Sequence, residues 1–453
     1  MKKRFVILGS GESGTGAALL AQYLGYDVFV SDQGAIKEIF KTELDQAGIA
    51  WEENGHTLSQ ILNAQEIIKS PGIPEKSEVM QAVRARGIPV IGEIEFGWRH
   101  AGKCQIVAIT GSNGKTTTTE LTYHLMKTAG LEVRKGGNVG NSFARMALED
   151  LKAKRTKAAD RIFVLEVSSF QLDDIQQFRP KIAMLLNITP DHLDRYDYKL
   201  ENYAASKFRV TMNQRRGDKF IYNGFDPILA AHRVPSKDPA SQPKAIAIRK
   251  SRYKNGQIRV GKDVFDLRNS ALRGPHNMFN AACAIRAALL LGGDAGKVQE
   301  GLNTFVTPPH RLEKVADIGG VAWINDSKAT NVDSVFYALQ AMETPTVWIV
   351  GGQDKGNDYT PLLRLVRKKV KAIVCMGVDN SKIFKVFSEM KKPMKETRSA
   401  AEAVKVAAGF AEKGDTVLLS PACASFDLFK NYEDRGAQFR EAVQQLKQPS
   451  KKQ

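Results

Sequence analysis

The chain has 453 residues, 66 Lys and Arg against 49 Asp and Glu, and a formal net charge of +17. That length and a 43% hydrophobic content suit about three globular domains and exclude a disordered or low-complexity chain. The charge points to a polyanionic small substrate rather than nucleic acid. There is no zinc-finger spacing and no aromatic-studded basic stripe, and runs such as Arg364 with Arg367-Lys-Lys and Lys391-Lys are spaced like solvated helix faces.

The first elements alternate. Arg4–Leu8 reads as a strand, because its apolar run is too short for a signal peptide and breaks at Gly9. A helix over Gly14–Leu24, a strand over Tyr26–Ser31 and short strands at Glu66–Lys69 and Ile88–Ile91 follow, which predicts a parallel sheet. Gly9-Ser-Gly11-Glu-Ser-Gly14 is G-x-G-x-x-G between strand and helix, and Asp32 closes the next strand. This fingerprint fits NAD or any ligand with a pyrophosphate and a ribose, and a plain tight turn is the competing reading.

The pattern restarts at Cys104, which puts a boundary near Trp98–Lys103. Ala108-Ile-Thr-Gly-Ser-Asn-Gly-Lys-Thr-Thr-Thr-Thr119 follows an apolar stretch and predicts strand, glycine loop and helix start. Backbone N–H groups around Gly111, Ser112, Asn113 and Gly114 can ring a polyphosphate, Lys115 can sit against its outer phosphates, and a Thr116 or Thr117 hydroxyl can hold Mg²⁺. The chain is therefore expected to use ATP, although Ile109 stands where the general spacing wants Gly.

Arg161–Val167 and Lys181–Asn187 read as strands of this second region. Glu166, in Glu-Val-Ser-Ser-Phe-Gln171, should lie beside the strand that feeds the ATP loop, where a carboxylate can hold Mg²⁺; an exposed strand end is the alternative. Asn187-Ile-Thr-Pro-Asp191-His192-Leu-Asp194-Arg195 places Asp and His at another strand's C-terminal end, where open α/β sheets keep their sites. Lys207 by itself reads as a surface lysine. Phe220–Asn223 and Ala245–Val264 are β-rich, and Asn277–Leu291 reads as an Ala-rich helix that Asn277 either caps or leaves to contact a nucleobase.

A third alternating region opens near Pro308-Pro309, with Arg311 at the junction and strands over Ala322–Asn325, Thr346–Val350, Ala372–Met376 and Thr416–Leu419. Two successive strand ends, Asn325-Asp326-Ser-Lys328-Ala-Thr330-Asn331 and Gly351-Gly-Gln-Asp-Lys355-Gly, are loaded with polar residues, which suggests a site rather than plain turns. The Lys-rich tail after Gln448 reads as frayed. The four cysteines form no C-x-x-C pair or ligand cluster and suit a reducing compartment. No stretch is long enough to span a membrane, so a cytoplasmic protein is expected. The whole reads as α/β in three domains. These are a Rossmann-like N-terminal domain over 1–98, a central P-loop ATPase-like domain over 99–307, and a C-terminal Rossmann-like domain over 308–453.

Thr-Gly-Ser-Asn-Gly-Lys-Thr, Glu-Val-Ser-Ser-Phe-Gln, Asn-x-x-x-Asp-His-x-Asp, Gly-x-His-Asn, His-Arg and Asn-Asp-Ser-Lys-Ala-Thr-Asn occur in that order over nearly the whole chain. With Ser-Pro-Ala-Cys-Ala-Ser-Phe-Asp, they make the chain resemble the ATP-dependent Mur ligases of peptidoglycan synthesis, in the branch that adds the second amino acid. The resemblance implies a monomer that joins D-glutamate to UDP-N-acetylmuramoyl-L-alanine through an acyl phosphate, with ATP and Mg²⁺. Lys115 and Thr116 would hold ATP phosphates and Mg²⁺, Glu166 and His192 would bind metal, and Lys207 would be carbamylated by CO₂ into a further ligand. Lys115, His192 and Lys207 would be the catalytic set. Asn277, Arg311, Asp326 and Lys328 would contact ATP. Glu12, Ser13, Asp32 and Gly72 would bind UDP, and Asn138 and Gln171 the muramoyl part. Thr330, Lys355, Ser425 and Tyr432 would bind D-glutamate. Gln33-Gly34 stands where some members carry Thr-Arg. The competing functions are another amide ligase of this superfamily, of the folylpolyglutamate type, and a nicotinamide oxidoreductase using Gly9–Gly14.

Overall fold

The computed structural model describes residues 2–155, 160–231, 242–249, 253–272 and 274–446. The tail after Gln448 lies outside them. The chain divides into two compact units: residues 1–270 with 279–305, and residues 271–278 with 306–453.

The first unit carries two large sheets. Strands β1 (Arg4–Leu8), β2 (Asp27–Ser31), β3 (Ala50–Glu52), β4 (Glu66–Lys69) and β5 (Val90–Gly92) form a sheet in the order β3-β2-β1-β4-β5. All its pairs are parallel. The order reverses between β1 and β4, so a crevice opens at their C-terminal ends, the place where such sheets take ligands. The second sheet holds β6 (Gln105–Thr110), β7 (Val133–Gly137), β8 (Ile162–Glu166), β9 (Ile182–Leu185), β10 (Lys219–Asn223) and β11 (Lys244–Ile248). Its order is β11-β10-β9-β6-β8-β7, again parallel throughout. A small antiparallel sheet of β12 (Tyr253–Lys254), β13 (Gln257–Val260) and β14 (Asp263–Asp266) follows. The strands are apolar on both faces because helices cover both sides. One continuous core runs from Phe5, Ile7 and Val30 through Phe96 and Phe143 to Phe163 and Phe220, so the two large sheets share their packing.

Polar contacts lock the same junction. Glu95 is fully buried and accepts hydrogen bonds from the amides of Gln176, Gln177 and Phe178. Arg99 joins Glu66, Glu95 and Gln176. Arg145 pairs with Glu12 and Glu43.

The second unit holds β15 (Glu313–Ile318), β16 (Val321–Asn325), β17 (Thr346–Val350), β18 (Val370–Met376), β19 (Met394–Thr397) and β20 (Thr416–Leu419). The order is β15-β16-β20-β17-β18-β19, parallel except for the β15–β16 hairpin. Apolar clusters around Trp323 and Phe439 and around Trp348 and Phe387 cover this sheet. No helix among the described residues is long and apolar enough to cross a membrane.

The expected strands recur with shifts of a residue or two. β3, β7, β15 and β19 were not legible in the sequence: all four are edge strands, and each carries at least one charged residue among its apolar ones. The Ala-rich helix spans Gly274–Leu290, so Asn277 lies inside it and does not cap it. Pro275 suits the first turn, because its missing N–H has no partner to lose there. All four cysteines are free thiols.

Candidate functional site

The G-x-G-x-x-G segment builds the first pocket. Gly9 has φ +89°, and a Cβ on Gly14 would stand 1.8 Å from the Gly9 carbonyl oxygen, so the turn and the helix Glu12–Tyr23 require glycine at both places. A Cβ on Gly11 would meet nothing within 4 Å: that position is open for a ligand. The cavity in front measures 970 Å³ and is lined by Gly9–Ser13, Asp32, Gln33, Ser70–Pro74, Gly137 and Asn138, among others. Glu12, Ser13, Asp32, Gly72 and Asn138 are therefore brought together. Asp32 is already engaged: one oxygen accepts from the Ser10 amide and hydroxyl at 2.7 Å and the other from the Gly34 amide at 2.9 Å. Its carboxylate holds the loop. Glu12 lines the wall while accepting from Arg145 and from the Ser142 amide.

The second site lies at the C-terminal end of β6. The loop Gly111–Gly114 has φ +154° at Gly111 and +84° at Gly114, after which the helix Lys115–Thr128 begins. Neighbouring backbone braces the loop. Asn187 accepts from the Asn113 amide at 2.8 Å and donates to the Asn113 carbonyl at 3.0 Å. Ser112 exchanges hydrogen bonds with Thr189, and its hydroxyl reaches the Tyr203 phenol at 3.3 Å. The sequence reading gave Asn187, Thr189 and Tyr203 no role. The pairing of β9 with β6 carries Asn187 and Thr189 to this loop, a neighbourhood that local sequence does not announce.

Lys115 Nζ donates to the carbonyls of Gly111 and Ser112 at 2.8 and 2.9 Å. Lys207, read as a surface residue from its local sequence, is 1% exposed and donates to the same Gly111 carbonyl at 2.9 Å. Burial and the nearby Lys115 charge hold its ammonium well below its ordinary pKa, against the pull of Asp191, Asp173 and Glu166.

β8 pairs with β6, so Glu166 does end beside the Gly111–Gly114 loop. It is 2% exposed, which rules out the exposed-strand-end alternative. Its Oε1 accepts from Asn138 at 3.0 Å, and its Oε2 is buried without a partner. An orphaned carboxylate oxygen in a dry site is costly unless a cation or donor meets it. Among the described residues no three His, Cys, Asp or Glu side chains converge on one point. The orphaned Glu166 oxygen is of the kind that Mg²⁺ uses, since that ion takes one or two protein oxygens and leaves the rest to water and phosphate. Gln171 closes a capping box with Ser168, which leaves its buried Nε2 unpartnered. His192 sits in a left-handed turn, its Nε2 3.7 Å from Asp191.

In the second unit the ends of β16, β20 and β17 are neighbours. Asp326 is buried there, accepting from the Leu312 amide and the Ser420 hydroxyl; burial raises its pKa to about 7. Lys328 Nζ lies 3.8 Å from the centre of the Tyr432 ring. Thr330 donates its amide to the Lys328 carbonyl. Ser425 is buried near the end of the loop that follows β20, and Lys355 is exposed after β17. Arg311 is half-buried before β15. Arg435, overlooked because it reads as a helix residue, is 1% exposed and ties Ser327 to the Cys423 carbonyl. Burial lowers its pKa to about 10.

Three family models match the chain: the MurD N-terminal domain over residues 4–79, the Mur ligase middle domain over 109–288, and the Mur ligase glutamate ligase domain over 310–423. UDP-N-acetylmuramoylalanine–D-glutamate ligase from Cytophaga hutchinsonii is 50% identical, with 98% of this chain and 100% of that protein covered. The protein of the same name from Bacteroides fragilis is 47% identical over the same shares. Among solved structures, UDP-N-acetylmuramate-alanine ligase from Thermotoga maritima superposes with a TM-score of 0.61 at 18% identity, covering 99% of this chain and 100% of that one. At that identity the structural match bears on the fold alone. The full-length identity to the curated relatives goes further, and with the three domain matches in chain order it establishes that this chain belongs to the Mur ligase family.

Proposed function

We propose that the protein is an ATP-dependent ligase that joins D-glutamate to UDP-N-acetylmuramoyl-L-alanine in cytoplasmic peptidoglycan precursor synthesis, acting as a monomer. One observation carries the reading beyond the family: the 970 Å³ pocket at the first sheet's switch point is walled by Gly137 and Asn138, and Asn138 hydrogen-bonds Glu166. A ligand whose uridine diphosphate fills the pocket would run its sugar and peptide end toward the ATP loop. A nicotinamide cofactor has no use for that second site.

In this reading residues 1–98 hold the nucleotide-sugar through Glu12, Ser13, Asp32 and Gly72. Residues 99–307 hold ATP through Gly111–Thr117, while Asn138 and Gln171 orient the muramoyl end. Residues 308–453 contribute Arg311, Asp326 and Lys328 toward ATP and Thr330, Lys355, Ser425 and Tyr432 toward D-glutamate; Asn277 also serves ATP. The substrate's alanyl carboxylate attacks the γ-phosphorus, ADP leaves, and an acyl phosphate forms. The D-glutamate amine then adds to the acyl carbon and loses a proton, and phosphate departs to leave the amide. Lys115 and the loop amides stabilise charge on the transferring group, so the chain's part is mostly positioning and electrostatics. Mg²⁺ bound at Glu166, Thr116, His192 and a carbamylated Lys207 would offset the triphosphate's charge; the orphaned Glu166 oxygen supports that placement.

Phosphate release tests the reading. It should require UDP-N-acetylmuramoyl-L-alanine and become sustained only with D-glutamate. Equal turnover with L-glutamate or a folate acceptor, or tight NAD binding with no response to the UDP-sugar, overturns it.

A further inference from the structure

Resting on the reading of the first pocket as a nucleotide-sugar site, we propose that Arg195 is a positioning residue that couples filling of that pocket to the turn carrying His192. The guanidinium reaches from the turn after β9 to the first sheet. Its Nη1 donates to the Gly72 carbonyl at 3.1 Å, and its Nη2 to those of Ile73 at 3.2 Å and Pro71 at 3.4 Å. Three successive carbonyls converge on one cation, and among the described residues no carboxylate pairs with it. A surface ion pair would look different: here the partner is the backbone of a loop that lines the pocket, Ser70–Pro74. Planar peptides tie each carbonyl's direction to its neighbour's amide, so a ligand that reorients this loop moves what Arg195 holds.

The other side of Arg195 is fixed within the second sheet's site. The guanidinium lies 4.6 Å from the Phe170 ring centre, Phe170 meets His192 edge-on at 5.2 Å, and it stacks on Tyr196 with ring planes 5° apart. The Arg195 amide donates to the His192 carbonyl at 3.0 Å. His192, Asp197 and Tyr198 all have positive φ, at 52°, 53° and 56°. Such a turn is held by its contacts rather than by local preference, so its geometry follows the groups that hold it. Lys69 anchors the start of the pocket loop through Asp174 at 3.1 Å and Glu75 at 2.9 Å and shares the Ile73 carbonyl at 3.5 Å, which leaves the Pro71 and Gly72 carbonyls as the part that answers to Arg195.

The segment that carries His192 also braces the glycine loop through Thr189 and Ser112, so nucleotide at that loop and nucleotide-sugar in the first pocket should change each other's affinity, each by the same factor. Calorimetric titration of UDP-N-acetylmuramoyl-L-alanine into the full-length protein, with and without saturating ADP and Mg²⁺, tests this. For the wild type the two dissociation constants should differ by roughly 5–20-fold. In Arg195→Met they should come within about twofold of each other, with the affinity for ADP alone unchanged. Arg195→Lys should keep part of the coupling, because an ammonium can still reach a carbonyl but cannot gather three in one plane. Should Arg195→Met fail to fold, judged by its melting temperature, Arg195→Lys and Phe170→Leu carry the same comparison. An equal coupling factor in variant and wild type overturns the proposal, as does a wild type whose two constants agree. A wild type that binds no UDP-sugar at all overturns the functional reading first.

Discussion

At the residue scale the site is a balance of cations around one carbonyl. Lys115 and Lys207 both donate to Gly111 O, and Glu166 Oε2 waits nearby in sequence register without a partner. Lys115→Ala should lower phosphate release by about 10²–10³, the usual loss for one donor aimed at developing charge. Steady-state assays with ATP binding measured in parallel check it, and wild-type rates in the variant would mean that the loop is not the ATP site. Lys207 is expected to work as a carbamate, since an ammonium beside Mg²⁺ at ~4 Å is repelled by several kcal/mol even at an effective dielectric of about 20. Lys207→Ala should lose most activity and regain some when a short carboxylic acid is added. Lys207→Arg should not respond, because its guanidinium fills the space and stays charged. An alanine variant with near-normal turnover would show Lys207 to be an ordinary buried lysine. Its burial was invisible in Asn-Tyr-Ala-Ala-Ser-Lys, where nothing says which face of the helix Leu200–Phe208 meets the loop.

At the element scale, backbone approach decides which glycines matter. Gly14 packs its Cα against the Gly9 carbonyl, leaving no room for a methyl group. Gly14→Ala should destabilise the first sheet by about 3 kcal/mol, at the upper end for overpacking, and weaken UDP-sugar binding with it. Gly11→Ala is the contrast: its Cβ has free space within the protein, so stability should hold while ligand affinity falls. Thermal melts and titrations of both variants separate the two effects, and equal melting temperatures for the pair would contradict this account. The strand–loop–helix elements and their glycine turns were legible because glycine spacing and apolar runs are local signals. The edge strand β7 was not legible, since Val-Arg-Lys-Gly-Gly carries no alternation, yet it places Gly137 and Asn138 in the pocket wall.

At the scale of the whole molecule, the first unit's two sheets are joined by buried carboxyl groups. Glu93 is 2% exposed, accepts from the Ala144 amide at 2.6 Å, and leaves its other oxygen unpartnered. Burial raises its pKa to about 8. The unfolded chain releases this proton near pH ~4.3 and the folded one near 8, so between those values the folded state binds more protons and stability falls as pH rises. Glu93→Gln removes the ionisation. Relative to wild type its unfolding midpoint in urea should rise from pH 5 to about pH 8 and level off above it, by an amount worth a few kcal/mol at the plateau, with little difference at pH 5. A pH-independent difference would mean that Glu93 is not the group responsible.

The sequence alone determined the α/β class, the glycine loops, the order of the motifs and the family they resemble. Each motif rests on residues within about a dozen positions of one another, where local sterics and periodicity speak directly, and their order along the chain adds the rest. Tertiary structure decided which of those residues meet. Parallel pairing of β6 with β8 and β9 brings Glu166 and Asn187 to the same loop, although 53 and 74 residues separate them from Asn113. It also turned Asp32 and Glu12 into loop and junction anchors, and it gave Arg195 and Arg435 partners no motif announces. The reason is physical: a buried charge takes its meaning from the groups that compensate it, and in a parallel sheet those groups arrive from distant segments through crossover connections.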